Sequence, residues 1–369
     1  MMADPARLIG RALELANASL TLSSPNPRVG CVIADAHGRI LGQGHTQQAG
    51  GPHAEIMALA SARAAGANLL GATAYVTLEP CSHQGRTGPC CDALIDAGIK
   101  RVLASIADPN PLVSGRGLAK LRAAGVEVET GPGAVQSREL NLGFFSRMIR
   151  KRPWVRMKIA ASLDGKTALD NGTSQWITSE TARADGHAWR ARSCALLTGI
   201  GTVLHDDPRL DVRLVATERQ PQLVIVDSTL QTPLDAHVFV APRALSIYVS
   251  AINDNKREAL ERRNVRIVCQ PGERGQVDLQ AMLHDLGAHE VNELHVEAGP
   301  RLNGALIQAG LVDEFLIYLA PQFIGQGRGM AHFGPIEELS AAPALEFVST
   351  ERLGPDLRLL ARVQGHDEF

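Results

Sequence analysis

The sequence predicts an α/β protein built as two different domains. Three observations carry that reading. A chain of 369 residues exceeds what one ordinary hydrophobic core organises. Strand and helix signals alternate through both halves, as they do when helices cover a sheet. A basic, proline-ended stretch, "RKRP" (150–153), separates two series of elements that share no repeat, so the domains are expected at 1–149 and 150–369.

The first series opens on "PARLIGRALELAN", whose apolar residues recur at helical spacing. "VGCVIA" and "RILGQG" flank a His37–Gly38 turn and predict a hairpin. The helix "HAEIMAL" follows, with Ile56, Leu59 and Ala60 on its expected inward face and His53 and Glu55 off that stripe. Then come the strand "ATAYVTL", a helix in "PCCDALIDAG", the strand "RVLASI", the helix "GLAKLRAAG" and the strand "VEVET". A mostly parallel sheet is expected, closed by one helix through "VQSRELNLGFFSRMI". The second series gives strands at "WVRMKIAAS", "ALLTGI", "QLVIVDS", "LSIYVS", "VRIVCQ", "ELHVEAG" and "EFLIYLAP". Helices fall around "SETARADGHAWRARS", "NDNKREALERRN", "DLQAMLHDLG" and "LNGALIQAG", and "LEFVSTERLGPDLRLLARV" reads as a hairpin turning at Gly354–Pro355.

Composition narrows the function classes. A formal net charge of −2 offers no basic field for nucleic acid and no polybasic membrane patch. Acidic Asp4 and the charges at Arg11 and Glu14 break up the N-terminal apolar run, so it does not read as a signal peptide. No stretch approaches a transmembrane span, and a cytoplasmic location is expected. Of six cysteines, Cys81, Cys90 and Cys91 cluster, which in a reducing compartment points to metal or catalysis. Cys31, Cys194 and Cys269 lie singly in apolar runs and are expected as small buried hydrophobes.

The cluster has a partner in His53. One imidazole and two thiolates give zinc three protein ligands and leave a fourth position open, where the metal makes water a nucleophile near neutral pH. Glu55, two residues on and so about 200° around the helix, is placed to move protons and not to ligate. His-x-Glu followed by Pro-Cys and a second Cys is the signature of zinc-dependent nucleobase deaminases. The spacing departs from Cys-x-x-Cys, because eight residues separate Cys81 from Cys90. Cys91 is an alternative second ligand; Pro89 just before Cys90 favours Cys90.

That longer loop carries a resemblance. "EPCSHQGRTGPCCDALIDAGIKRV", "ADPNPLVSGRGLAKLRAAG" and "SPNPRVGCVI", with "KIAASLDGKTA", "SQWITS", "GIGTVLHDDPRLDVR" and "VEAGPRLNGAL", closely resemble the bifunctional deaminase–reductases of riboflavin biosynthesis across nearly the whole chain. The resemblance implies a cytidine-deaminase-like α/β/α domain followed by a dihydrofolate-reductase-like α/β domain. It implies hydrolysis of the 2-amino group of a diaminopyrimidinone carrying a ribosylamino 5-phosphate, then reduction of the ribosyl group to ribityl. One zinc per chain would fall to His53, Cys81 and Cys90, acid–base work to Glu55, and pyrimidine contacts to Asn26, Arg86, Asp108 and Asn110. NADPH would meet Ala160, Trp176, Thr202, Asp206, Ser228 and the run Gly299, Pro300, Arg301, Leu302, Asn303, Gly304 and Ala305. Ser174, Arg190, Leu210, Arg213 and Glu297 would hold the phosphorylated substrate, and Lys158, Asp206 and Glu297 would stand near the hydride transfer. Small molecules alone are expected as ligands, with no nucleic acid or membrane, and a homo-oligomer, dimer or tetramer, as the assembly. Two departures from the family pattern stand out. His45 and Thr46 occupy the place of an aromatic–His pair, so His45 either substitutes from one place earlier or that contact is lost. Gly88 stands where proline is common.

Taken without the resemblance, several of these residues have plainer readings. "ADPNP" is a good turn, Asp206–Asp207–Pro208 a turn or helix cap, and Trp176 a core residue. "GPRLNGA" leads from a strand into a helix, where glycines let backbone N–H groups approach a phosphate. No Gly-x-Gly-x-x-Gly follows a strand, which argues against a Rossmann site. The competing functions are a single active domain beside a degenerate one, and a nucleic-acid-editing deaminase. The latter would need a basic, aromatic-rich groove, and aromatic content is only 4%. A structural zinc module would close the fourth position with another ligand.

Overall fold

The computed structural model describes residues 4–82, 88–111 and 113–369. The chain divides into two compact units, Met1–Arg150 and Lys151–Phe369.

In the first unit, helix α1 (Pro5–Asn17) starts where the Asp4 side chain accepts from the N–H groups of Ala6 and Arg7, and it buries Leu8, Ile9, Ala12 and Ala16. Strands β1 (Gly30–Ala34) and β2 (Ile40–His45) form the hairpin. Helix α2 (Ala54–Ala64), β3 (Thr73–Val76), α3 (Cys90–Asp96), β4 (Arg101–Ala104), α4 (Arg116–Ala123) and β5 (Glu127–Thr130) follow. The sheet order is β2-β1-β3-β4-β5. Only β3–β4 and β4–β5 are parallel; both pairings of β1 are antiparallel, so the sheet is mixed where a mostly parallel one was expected. The hairpin accounts for this, since it inverts the chain before the first crossover. β1 is buried along its whole length, as a strand covered on both faces must be. On β2, a Cβ at Gly42 or Gly44 would stand within 2.3–2.4 Å of α2 atoms, so α2 lies directly on the strand and its N-terminus is rigidly placed.

The final helix is two helices, α5 (Ala134–Leu140) and α6 (Leu142–Arg150), broken at Asn141. The break has a cause in side-chain chemistry. Asn141 Oδ1 accepts from Arg28 N at 2.7 Å, and its Nδ2 donates to Arg28 O and Ser137 O, each at 3.0 Å. This clasp anchors the "NPRVG" segment that leads into β1.

The second unit has strands β6 (Trp154–Ser162) and β7 (Lys166–Leu169), helix α7 (Glu180–Arg192), β8 (Ala195–Gly199), α8 (Ile200–Asp206), β9 (Gln222–Val226), β10 (Leu245–Val249), α9 (Asp254–Glu261) and β11 (Val265–Cys269). It continues with α10 (Leu279–Ala288), β12 (Glu293–Val296), α11 (Pro300–Gln308), β13 (Glu314–Ala320), β14 (Gly327–Gly329), β15 (Leu345–Leu353) and β16 (Asp356–Val363). The main sheet runs β11-β10-β9-β8-β12-β6-β13-β16-β15, parallel from β11 through β13 and antiparallel at β16 and β15. Helix α8 and the small β7–β14 pair carried too few periodic residues to be read from sequence.

One face of the central strands is apolar. Met157, Leu294, Val296 and Phe315 pack with Met282, Leu283 and Leu286 of α10 and Leu306 of α11. The other face, under α7, is charged: Arg156 is 2% exposed and pairs with Glu293 at 3.0 Å and with Glu314 at 2.5 Å. Trp189 of α7 lies between the guanidiniums of Arg156 and Arg192, at 4.5 and 4.7 Å from its ring centre. Cys31 and Cys194 are buried as expected, but Cys269 is exposed, because it ends the edge strand β11.

Replacing Asn141 by Ala strands a buried N–H and a buried C=O of Arg28. At roughly 1–3 kcal/mol for each unsatisfied group, the first unit should lose at least about 2 kcal/mol. Urea denaturation checks this, and an unchanged midpoint would contradict the clasp.

Candidate active sites

The first site assembles where α2 and α3 begin. His53 is the N-cap residue of α2 and offers no side-chain cap bond, leaving its ring directed elsewhere. His53 Nδ1 lies 3.6 Å from Cys81 Sγ and 3.3 Å from Cys90 Sγ, and all three ligand atoms fall within 4.8 Å of one another. Sulfur at about 2.3 Å and nitrogen at about 2.0 Å from a tetrahedral zinc stand about 3.5 Å apart, so the donor set fits that ion. Its electrostatics fit as well. Cys90 shares its proton with Cys81, which brings the Cys81 thiol down to about 4 while Cys90 is pushed up. A pair that cannot hold two thiolates unaided is suited to a divalent cation.

Glu55 differs from expectation in an informative way. The buried stripe of α2 is Glu55, Ala58, Leu59 and Ala62, while Ala60 is exposed and Ile56 half-buried. The carboxyl is therefore on the inward face, 3% exposed, and burial together with the Cys81 charge pushes its pKa up to about 7. Cys91, the alternative ligand, turns away from the cluster. Its Sγ donates to Pro80 O at 3.2 Å and Gly117 O at 3.5 Å, and burial raises it to about 12.

Asp108 is 7% exposed and its carboxylate accepts from Asn110 N at 2.8 Å, so "DPN" is a turn, as its plain reading had it. Burial pushes Asp108 up to about 7, opposed by that hydrogen bond and reinforced by the charges of Glu79 and Cys81. Glu79 was not singled out from the sequence; it is buried and accepts backbone N–H groups from the loop that carries Asp108 and from the start of α4. Asn26 donates its backbone N–H to Ser23 O at 2.8 Å, just ahead of the Asn141 clasp. Arg86 lies outside the described residues. Thr46 is buried and pins Val29 by its hydroxyl, a structural use, while His45 Nδ1 lies 3.2 Å from Ser19 Oγ. Gly88 is exposed.

In the second unit the charged face of the sheet ends in a cluster around Glu297. Arg190 grips its carboxylate with two bonds of 2.5 and 2.8 Å, and Lys158 Nζ lies 3.7 Å away. Burial alone would raise this carboxyl; Arg190 and Lys158 outweigh it and hold it well below the usual range. Arg190 Nη1 donates to Asp211 O at 2.9 Å and lies 3.4 Å from His187 Nε2. Arg213 pairs with Asp211 Oδ1 at 2.7 Å, and its N–H donates to His187 Nδ1 at 3.1 Å. Burial, then Arg190 and Arg213, lower His187 to about 4, so it is neutral. Both guanidiniums expected on the substrate phosphate are thus engaged by carboxylates of the protein itself. His187 and Asp211 went unassigned in the sequence, although His187 sits three residues before Arg190 on one helix face.

Of the other expected contacts, Thr202, Ser228 and Gly299 follow the carboxyl ends of β8, β9 and β12, where open α/β sheets place ligands. Gly299 is the N-cap of α11, with Pro300 in the first turn and no side-chain cap. A Cβ at Gly299 would meet only Thr202 Oγ1, at 3.9 Å, which leaves the cradle open and fits a dinucleotide phosphate. Gly304 has a different reason: a Cβ there would stand 1.7 Å from His332 O, so it admits a crossing backbone. Leu302 packs on Gly199, Asn303 donates to Met330 O at 3.0 Å, and Arg301 and Ala305 are exposed. Ser228 O accepts from Ser250 N at 3.0 Å, and Ala160 packs beside Leu316 and Tyr318. Ser174 is half-buried, and Leu210 is buried with a left-handed backbone (φ 49°), its carbonyl accepting from Arg243. Trp176 is 64% exposed, not core, and Arg183 stacks on it at 4.4 Å. Asp206 ends α8; burial raises it, with His205 and Arg328 opposing, and no hydrogen bond or ion pair among the described residues joins it to Lys158 or Glu297.

Two family models match the chain: the cytidine and deoxycytidylate deaminase zinc-binding region over residues 2–106, and the RibD C-terminal domain over residues 153–359. A riboflavin biosynthesis protein RibD of Escherichia coli is 45% identical over 95% of this chain and 97% of its own length. The RibD of Aquifex aeolicus is 41% identical over 94% and 95%. Among solved structures, an Acinetobacter baumannii RibD is 37% identical, covers 97% of this chain and 98% of its own, and has a TM-score of 0.87. The Thermotoga maritima diaminohydroxyphosphoribosylaminopyrimidine deaminase/5-amino-6-(5-phosphoribosylamino)uracil reductase is 32% identical over 97% and 98%, with a TM-score of 0.86. With these matches over nearly the whole chain, a His–Cys–Cys set that could hold a metal ion in one unit and an open helix N-terminus in the other, the chain belongs to the RibD family of bifunctional riboflavin-biosynthesis deaminase–reductases.

Proposed function

We propose that the two reactions divide between residues 1–149, which deaminate, and residues 150–369, which reduce. The observation that carries the first assignment is the convergence of His53, Cys81 and Cys90 beside the buried Glu55. Zinc held by those three residues supplies the Lewis acidity that makes water a nucleophile near neutral pH. Glu55 takes the proton from the attacking water and returns it to the departing amine, a task suited to a carboxyl poised near 7. Asn26, Asp108 and Asn110, with Arg86, hold the pyrimidine and its phosphate.

In the second domain NADPH supplies the hydride. The open N-terminus of α11, from Gly299 through Ala305, would hold its phosphates, with Thr202, Ala160, Trp176, Asp206 and Ser228 completing the site. Arg213 and Arg190, with Ser174 and Leu210, hold the substrate phosphate. Arg213 is the guanidinium more open to it, its side chain being 42% exposed against 13% for Arg190. Lys158 and Glu297, already paired, face the ribosyl group.

We also propose a homodimer in the cytoplasm. Strand β15 is an edge of the large sheet and exposes Leu345, Phe347 and Val348 at 42%, 69% and 44%. The exposed apolar residues at the start of this edge call for a cover, and a second copy of the same strand, paired antiparallel about a two-fold axis, supplies one. Six free cysteines suit a reducing compartment. No helix among the described residues is long and apolar enough to cross a membrane.

Three outcomes test these assignments. Cys90→Ser should lose zinc by metal analysis while Cys91→Ser keeps it; the reverse pattern would make Cys91 the ligand. Glu55→Gln should keep one zinc per chain while ammonia release falls by about 10²–10⁴. Its NADPH oxidation with deaminated substrate should match wild type; retained deamination would remove Glu55 from the mechanism. Phe347→Asp should convert a dimer into a monomer by light scattering, and a dimeric variant would place the interface elsewhere.

A further inference from the structure

The carboxylate of Glu79 sits in the first unit between the metal cluster and the loop after β4. It is 3% exposed and has no cationic side chain within ion-pair distance among the described residues. A buried charge in that position is costly unless hydrogen bonds compensate it, and here only backbone does. One oxygen accepts from Asp108 N at 3.1 Å and Gly115 N at 2.9 Å; the other accepts from Gly117 N at 2.8 Å and Leu118 N at 3.2 Å. The Glu79 N–H itself donates to Ile106 O at 2.9 Å. One residue thus grips both ends of the segment 106–118.

The other side of the same residue leads to the metal ligands. Pro80 alone separates Glu79 from Cys81, and Pro80 O accepts from Cys91 Sγ, whose neighbour Cys90 is in the cluster. Cys91 Sγ also reaches Gly117 O, so the strand end, α3 and α4 share one set of contacts.

We propose that Glu79 is a positioning residue for the deamination. It fixes the distance between the His53–Cys81–Cys90 cluster and the Asp108–Asn110 turn, and so sets where the pyrimidine lies relative to the cluster. The inference rests on the reading of Asp108 and Asn110 as substrate contacts. Glu79 touches neither substrate nor metal; it acts through the backbone of the loop. The charge also suits the N-terminus of α4, where two of its four donors begin the helix.

Glu79→Gln keeps the side chain's shape but turns one oxygen into an NH2 facing two backbone N–H groups, so half of the grip is lost. The full-length zinc enzyme is assayed for zinc content, for deamination kinetics, and for reduction of deaminated substrate, with Asn110→Ala in parallel. The expected result is one zinc per chain, wild-type reduction, a KM for the diamino substrate raised tenfold or more, and kcat reduced less than threefold. A purely architectural role would lower the melting temperature and leave KM alone, and that result would overturn the proposal. Loss of zinc would overturn it too, since Glu79 would then be shaping the ligand set. If Asn110→Ala raises KM and Glu79→Gln does not, the Glu79 proposal fails alone. If Asn110→Ala leaves KM unchanged, the substrate reading of the turn fails and takes the proposal with it.

Discussion

Two sulfurs and an imidazole nitrogen within 4.8 Å of one another, with a carboxyl buried beside them, form an arrangement that electrostatics alone disfavours. Without a cation the thiols must share a proton, one driven down to about 4 and the other pushed up, and the nearby carboxyl is driven toward neutrality. The first unit holds these groups together all the same, by rigid means. Helix α2 is pressed onto β2 at two glycines, Cys91 anchors α3 to Pro80 and Gly117, and Glu79 ties the next loop to the strand end. The framework keeps a divalent ion's place prepared, and the same burial that disfavours the charges keeps Glu55 poised to carry a proton.

The second unit meets a related constraint with opposite means. Under α7, carboxylates and guanidiniums neutralise one another in place: Glu293 and Glu314 on Arg156, Glu297 on Arg190 and Lys158, Asp211 on Arg213. Such pairs contribute little net stability against an apolar alternative, but each is costly to break singly. Their value here lies in geometry. They fix Arg190 and Lys158 around Glu297, which follows the carboxyl end of β12 and stands two residues before the N-cap of α11. Under the proposed assignment, a substrate phosphate would meet Arg213 and Arg190 already held by Asp211 and Glu297, and would have to compete for their donors.

Much of this was legible in the sequence because the signals were local. Alternating apolar strands, the His37–Gly38 turn and the amphipathic N-terminal helix each depend on neighbours in the chain. So did the metal set, since His53, Cys81 and Cys90 carry their chemistry in residue type and spacing. What escaped depends on distant partners. Asn141 breaks a helix because Arg28, far away in sequence, needs its amide. Glu55 sits on the buried stripe of α2 because the helix packs on β2 by that side and its first turn lies beside the cluster, not because of its own polarity. Cys269 is exposed because the sheet ends at β11, and Arg190 is occupied because β12 brings Glu297 to it. Glu79 and Cys91 gave the faintest signal, a charge and a second thiol next to residues with louder roles.

Two separate chemistries on one chain, only one of them needing a metal, can be tested in a single sample. The enzyme is treated with a chelator, and ammonia release and NADPH oxidation are followed together, first on the diamino substrate and then on its deaminated product. Both signals should vanish on the diamino substrate, NADPH oxidation on the deaminated product should run at the untreated rate, and added zinc should restore ammonia release. Ammonia released by the stripped enzyme, or reduction lost along with the metal, would contradict the account.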